Sequence, residues 1–181
     1  GRARIFHGYN AVVKLPPYIP ITDHFDAQMS ISDEDLVNLK NWGATIMRLG
    51  VTWESVERSP GQYDYDFLDQ VEALVNKMGA YGIYTMLDAH QDLYSRVNCG
   101  EGIPYFYTDP NIMHECPASW VGEMFTHFGM CVSMTSYDFR MDENGLPLIE
   151  DCKQNSFIGY YTSPEVASAF GSFYDNVDGV Q

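Results

Sequence analysis

The sequence predicts an α/β fold in which parallel strands are covered by helices. Three apolar segments, at residues 5–12, 44–50 and 83–87, have the length and composition of buried strands. Segments with a helical spacing of apolar residues separate them, and this alternation is typical of a parallel sheet with helices on its faces. No glycine-rich phosphate loop follows the first strand, which argues against a nucleotide-binding open sheet. Periodicity alone does not distinguish an open sheet from a barrel.

The first strand and helix are predicted from glycine and capping signals. Residues 5–12 include Gly8, a residue type found in strands where another group approaches closely. A proline-rich connection leads to Ser32, which is followed by three acidic residues, as is typical of a helix N-terminus. The helix is amphipathic, and Gly43 marks its end.

The second and third strands flank a longer predicted helix. Residues 44–50 are apolar except for Arg48. A helix begins at about Asp66, and the spacing of its apolar residues continues it to about Gly82. The strand at residues 83–87 follows directly, which completes a strand–helix–strand–helix–strand series.

Residues 98–161 show no sustained periodicity. The segment is too long for an ordinary connection, so we expect a functional flap or an inserted subdomain. It contains all the cysteines, which are Cys99, Cys116, Cys131 and Cys152. We expect two disulfides formed in an oxidising compartment, with free buried thiols as the alternative, and the sequence does not determine the pairing. A last helix is predicted after Ser163, with Pro164 at its first position.

Charge and hydropathy exclude some classes of protein. The formal net charge of -15 opposes binding to a polyanion, so no nucleic-acid partner is expected. The sequence contains no apolar run of the length that spans a membrane. Its composition, 45% hydrophobic over 181 residues, is that of a domain with a core.

A polar cluster follows the third strand. Asp88, His90 and Asp92 alternate, so in an extended chain their side chains point the same way. Two carboxylates around an imidazole suit metal binding, orientation of a base, or hydrogen bonds to sugar hydroxyls. Three alternating ligands from one strand make a poor metal shell, so no metal is predicted. We favour orientation of a ligand in a cleft over the structural alternative, a capped strand end with a satisfied His90.

Two cations are further candidates. A guanidinium within an apolar strand requires an acidic or carbonyl partner, so Arg48 either supports a catalytic carboxylate or forms a structural ion pair. Lys14 precedes Pro16 and Pro17, which stiffen the loop and hold the ammonium over a site. A plain surface lysine is the alternative.

Aromatic side chains in the predicted loops offer surfaces for stacking on sugars or for local packing. They are Trp53, Tyr63, Tyr105, Phe106, Tyr107 and Trp120.

Four segments resemble glycoside hydrolase family 5, and within it the endoglycoceramidases. Residues 47–64 resemble the second-strand region of the family, with Met-Arg-Leu-Gly followed by Trp-Glu-Ser-Val-Glu. Residues 10–18, 88–96 and 99–104 narrow the resemblance to the endoglycoceramidases. This resemblance implies a (β/α)8 TIM barrel that cleaves the oligosaccharide–ceramide bond of glycosphingolipids with retention of configuration, without a cofactor.

The resemblance also implies roles for individual residues. Lys14, Asp88 and His90 line the sugar-binding cleft on this pattern. Arg48 supports the nucleophile. No catalytic residue is assigned within the chain, because both family glutamates lie on later strands, the first in an Asn-Glu-Pro motif that is missing here. Four loop carboxylates are therefore expected to be solvated: Glu54, Glu57, Asp92 and Glu101.

We accordingly expect residues 1–181 to be the N-terminal part of a catalytic domain. They supply the first three or four β/α units, with an insertion at about residues 98–161, and both catalytic glutamates are expected beyond Gln181. The chain alone is then expected to be inactive and, as a slice of a barrel with an open sheet edge, poorly stable.

Several alternatives stay open. One alternative is a different enzyme of the same family: a glucosylceramidase, a steryl glucosidase or a cellulase-like β-glycosidase. Another is a non-catalytic glycolipid-binding or vestigial domain. The expected partner is a glycosphingolipid or another β-glycoside, with peripheral contact to a membrane surface, in a secreted or lysosome-like location. Methionines and aromatics of the flap suit contact with lipid or a small core of its own. They are Met113, Trp120, Met124, Phe125, Phe128, Met130 and Met134.

Overall fold

The computed structural model describes residues 3–109, 111–116 and 131–177. They group into two compact units, residues 1–90 and residues 91–181, each with its own core. Within the described part of the chain, no helix is both long enough and apolar enough to cross a membrane.

The first unit is built on a parallel sheet. In chain order it contains β1 (Gly8–Ala11), α1 (Asp33–Asn41), β2 (Ile46–Val51), α2 (Trp53–Val56), β3 (Glu57–Ser59), β4 (Gln62–Tyr63), α3 (Tyr65–Ala80) and β5 (Tyr84–Ala89). The sheet has the order β1-β2-β5, with both pairs parallel. Strands β3 and β4 form a small antiparallel hairpin. The predicted α/β class is confirmed.

Local signals place the helices of this unit. Helix α1 starts after Ser32 as predicted. The Ser32 side chain accepts the Asp35 backbone N–H, and the Asp35 carboxylate accepts the Ser32 N–H, so the cap is a capping box. Asp64 caps α3 by accepting the Phe67 N–H at 2.9 Å. The apolar stripes of both helices pack on the sheet face that carries Met47 and Leu49.

The two outer strands are less buried than predicted. The first three residues of β1 are exposed, and β5 exposes Tyr84, Met86 and Leu87. Among the described residues both strands pair only with β2, so each lies at an edge of the sheet. An apolar composition predicted strands correctly but did not show which of them lie at an edge. Strand β5 also extends to Ala89, so Asp88 lies within the strand and not after it.

The second unit consists of short elements around its own apolar cluster. They are 3-10 helices at Arg96–Asn98, Tyr105–Tyr107 and Met134–Ser136, and α-helices α4 (Ile149–Cys152), α5 (Phe157–Tyr160) and α6 (Pro164–Tyr174). Ser163 caps α6 by accepting the Val166 N–H, as its sequence predicts. In the described part of residues 98–161 regular structure is confined to single turns, which agrees with the missing periodicity.

Two disulfides form, as expected, and their pairing is now defined. They join Cys99 to Cys152 and Cys116 to Cys131. That this region is an insertion in a catalytic domain stays a prediction. Of the methionines assigned to the flap, Met113 is exposed and Met134 is buried in the core. The other flap residues lie outside the described residues: Trp120, Met124, Phe125, Phe128 and Met130.

Candidate functional site

Three of the predicted site residues meet at the carboxyl end of the sheet. Arg48 projects from β2, Asp88 from β5, and His90 follows directly. The Arg48 Nη2 atom lies 2.5 Å from Asp88 Oδ2, and the His90 Nδ1 atom lies 3.1 Å from the same oxygen. One carboxylate oxygen thus connects a guanidinium and an imidazole. Because an ionised carboxylate only accepts hydrogen bonds, this contact requires a hydrogen on Nδ1 of His90.

The register of the strands produces this arrangement. Gly50 of β2 lies beside Asp88 of β5, and Arg48 lies one pleat earlier on the same face. The His90 backbone N–H donates to the Val51 carbonyl at 3.1 Å, which continues the strand ladder one residue past β5. The position of His90 is therefore fixed by backbone as well as by side-chain contacts.

The cluster is partly open to solvent. The side chains of Arg48, Asp88 and His90 are 33%, 24% and 12% exposed. Partial exposure limits the free-energy cost of taking the charged groups out of water. The shared Asp88 oxygen holds the Arg48 guanidinium and the His90 imidazole in place. Such a fixed set of donors at the end of parallel strands is suited to orienting hydroxyl groups of a ligand.

Lys14 lies at the same end of the sheet. It follows β1 by three residues and is half-buried. The backbone turn after it is closed by a hydrogen bond from the Tyr18 N–H to the Leu15 carbonyl at 2.9 Å. The structure therefore joins Asp88 to Arg48 and to His90 by direct contacts, and Lys14 follows β1 at the same carboxyl end of the strands. Substrate binding by these residues stays a prediction.

A guanidinium in an apolar strand requires an acidic or carbonyl partner, and the ion pair provides one for Arg48. Its partner is Asp88. The pair is the contact expected of a structural ion pair, and support of the catalytic nucleophile by Arg48 stays a prediction.

The expectation of solvated loop carboxylates is wrong for Glu54, Glu57 and Glu101, which are all buried. Glu57 shows the reason most clearly, because its Oε2 accepts the Trp53 indole N–H at 2.6 Å and its Oε1 accepts the Gly61 N–H at 2.7 Å. It thereby fixes α2 and the β3–β4 hairpin after β2. This role was missed from the sequence, although a tryptophan four residues before the glutamate and a turn glycine four residues after it are a signal that could have indicated it.

Comparisons with known proteins relate the chain to glycoside hydrolases. The sequence model of the cellulase family, glycosyl hydrolase family 5, matches residues 20–126. Endoglycoceramidases of Cyanea nozakii and Hydra vulgaris are each 32% identical, over 99% and 100% of the chain and 33% and 32% of their own lengths. A glucosylceramidase of Cryptococcus neoformans is 37% identical over 58% of the chain and 16% of its own length.

A solved structure shows the same fold. Endo-glycoceramidase II from Rhodococcus sp., in a complex with ganglioside GM3, superposes on 100% of the chain and 34% of its own chain, with a TM-score of 0.61 and 25% identity. The chain spans about a third of the length of these endoglycoceramidases.

Proposed function

The chain belongs to glycosyl hydrolase family 5, and from this membership we propose that the whole protein is a glycosidase that cleaves the oligosaccharide–ceramide bond of glycosphingolipids. One observation carries the choice of substrate. The similarity to endoglycoceramidases extends through residues 91–181 as well as through the sheet, whereas the similarity to the glucosylceramidase covers 58% of the chain.

We propose that β1, β2 and β5 are neighbouring strands of a (β/α)8 barrel. They are parallel and lie side by side in chain order, as successive barrel strands do. The helices pack on one face of the sheet, and Arg48 and Asp88 occupy the other, which corresponds to the barrel interior. Both outer strands have a free edge among the described residues, which suits pairing with further strands.

In this proposal the cluster formed by Arg48, Asp88 and His90 belongs to a sugar-binding site. Active sites of such barrels lie at the carboxyl ends of the strands, where Asp88 and His90 stand and where Lys14 follows β1. Lys14, Asp88 and His90 hold hydroxyl groups of the sugar, and Arg48 keeps the Asp88 carboxylate in position. The acid/base and the nucleophile of a retaining glycosidase are two further carboxyl groups, and we assign neither to this chain.

The substrate class is tested with the full-length protein. Lactosylceramide, glucosylceramide and a soluble β-glucan are supplied separately, and products are identified by mass spectrometry. We expect intact lactose and ceramide from lactosylceramide. Hydrolysis of the β-glucan without release of any ceramide contradicts the proposal and indicates a cellulase-like enzyme.

A sugar-binding role for the cluster makes its own prediction. Replacing Asp88→Asn removes the charge that connects Arg48 and His90, and a hydrogen bond to a charged group contributes about 1.5–3 kcal/mol, so we expect kcat/KM to fall by roughly 10- to 150-fold. Asp69→Asn is the matched control, because it makes the same chemical change on the exposed surface of α3. An Asp88→Asn enzyme with normal kcat/KM shows that the ion pair is structural only. Thermal unfolding of both variants separates lost binding from lost stability.

A glucosylceramidase is the second candidate. The higher identity of the Cryptococcus neoformans glucosylceramidase over its shorter match favours it. If the protein is a glucosylceramidase, it will release glucose from glucosylceramide and leave lactosylceramide intact in the same assay.

We also propose a secreted or lysosome-like location, which the two disulfides support, since such bonds persist in oxidising compartments. A glycosphingolipid substrate further implies peripheral contact with a membrane surface.

A further inference from the structure

A small apolar cavity lies within the second unit. Its lining includes none of the site residues Arg48, Asp88 and His90. Its volume is about 260 Å³. The walls are mainly hydrophobic and come from several separate segments: Val97, Ile112, Met134, Phe139, Met141 and Pro147. His114 and Glu165 add an imidazole and a carboxylate to this lining.

Glu165 is an unusual component of such a wall. It is the second residue of α6 and is only 1% exposed. Its Oε1 accepts the Ser133 hydroxyl at 2.6 Å and lies 3.2 Å from His114 Nδ1. Its Oε2 is buried and has no hydrogen-bond partner among the described residues. A buried carboxylate oxygen without a donor is costly, so a ligand that brings a donor gains free energy by supplying it.

The apolar walls are held in place before any ligand binds. Tyr137 and Phe139 stack with ring centroids 5.3 Å apart, and the Tyr160 ring meets Tyr137 edge-on at 5.4 Å. Met134 belongs to the same core as the Cys99–Cys152 disulfide. A preformed apolar wall requires little ordering on binding, which favours affinity for a small ligand.

The polar side of the cavity is, in contrast, adjustable. His114 is 52% exposed, whereas the carboxylate that it contacts is buried. The imidazole can therefore turn toward solvent and leave its place beside Glu165 to a donor from a ligand. A ligand with an anionic head is disfavoured there, because its charge repels the carboxylate.

We propose that this cavity binds an aliphatic alcohol or amine. The hydrocarbon chain packs against the apolar walls, and the hydroxyl or ammonium group donates to the Glu165 carboxylate. The site uses residues of the second unit only, so the proposal does not depend on glycosidase activity.

The test compares three probes with the same chain, hexan-1-ol, hexylammonium and hexanoate, by calorimetric titration of the full chain. We expect the alcohol and the amine to bind and hexanoate to bind about tenfold more weakly, because Glu165 repels it and offers no donor. Equal binding of hexanoate overturns the proposal, and so does the failure of all three probes to bind.

Two variants locate the site. Met141 lines the cavity and is 57% exposed, while Met113 is 52% exposed and does not line it. Met141→Asp is expected to weaken hexan-1-ol binding about tenfold, and Met113→Asp is the matched control that leaves it unchanged. Equal effects of the two variants overturn the assignment.

Glu165→Gln tests the role of the carboxylate. We expect hexanoate to bind this variant nearly as well as hexan-1-ol, because the repelling charge is gone. Persistent discrimination against hexanoate contradicts a role for Glu165. If this variant does not fold, the methionine pair still decides the proposal, because it changes exposed side chains only.

Discussion

Asp151 is a carboxylate that is paired on both oxygens. Its Oδ1 accepts Arg140 Nη2 at 2.6 Å, and its Oδ2 accepts the Arg140 backbone N–H at 2.8 Å and Nε at 3.0 Å. Hydrogen bonds from the Arg140 side chain, and then from its backbone, hold the pKa of Asp151 below its ordinary value. The pair joins residues 140 and 151, so the charge on Asp151 contributes to the stability of this segment.

The lowered pKa predicts a pH-dependent effect of Asp151→Asn. Because the folded state binds this proton more weakly than the unfolded state, the stabilisation is complete above the ordinary pKa of 3.8 and is lost as the pH falls through the lower folded value. The variant should unfold at a lower temperature than the parent at neutral pH, and the difference should vanish in acid. Thermal melts followed by circular dichroism measure this.

The matched control for that experiment is Asp138→Asn, which changes an exposed aspartate of the same segment. Its melting temperature at neutral pH should equal that of the parent. A loss in Asp151→Asn that is the same size at neutral and acidic pH would show that the ion pair is not its cause.

The residue types of the site are predictable from sequence, but their contacts are only partly so. Alternation predicts a common side for Asp88 and His90, and a guanidinium in an apolar strand requires an acidic partner. Which carboxylate Arg48 meets depends on the register of β2 and β5, which is set by hydrogen bonds between distant segments. The burial of Glu57 was missed because it arises when the turn at Gly61 folds back onto the carboxylate.

At the scale of elements, two glycine-to-alanine substitutions are predicted to change the free energy of unfolding in opposite directions. A Cβ on Gly50 of β2 would lie 2.8 Å from a methyl group of Val12, whereas one on Gly79 of α3 meets no atom within 4 Å. Gly50→Ala should therefore lower the free energy of unfolding by about 1–3 kcal/mol through overpacking. Gly79→Ala should raise it by about 0.5–1 kcal/mol, because alanine favours the helix. Urea denaturation measures both.

The two glycine variants control for each other, since they add the same methyl group. A neutral or stabilising Gly50→Ala would show that β2 and the segment after β1 do not need this close approach. A destabilising Gly79→Ala would contradict the open surface of α3.

The three longer helices, α1, α3 and α6, were predicted because their signals are local. Ser32, Asp64 and Ser163 each cap a helix with a hydrogen bond that spans three residues. Whether a strand is buried depends instead on its neighbours in the sheet. Strand β5 is apolar enough to be central, yet among the described residues it has one neighbour, and this information is not contained in its own sequence.

For the whole molecule, the choice between an open sheet and a barrel was beyond the patterns in the sequence. Three parallel strands in chain order begin both folds, and only further strands distinguish them. The exposed apolar side chains of β5, Tyr84 and Met86 on one face and Leu87 on the other, show that this edge strand has apolar area on both faces that further structure normally covers. Stability of the first unit thus depends on its core between sheet and helices, whereas the second unit also has disulfides.

The Cys99–Cys152 disulfide is predicted to stabilise the second unit locally. It closes a loop with a sequence separation of 53, for which the constraint on the unfolded chain amounts to about 4 kcal/mol. Replacing both cysteines by serine should speed hydrogen exchange in peptides from residues 91–109 and 131–177 and leave those from α3 unchanged. The corresponding change at Cys116 and Cys131, with a separation of 15, should have a smaller effect, about 3 kcal/mol. Equally faster exchange in α3 would instead mean that the disulfide stabilises the chain as one cooperative whole.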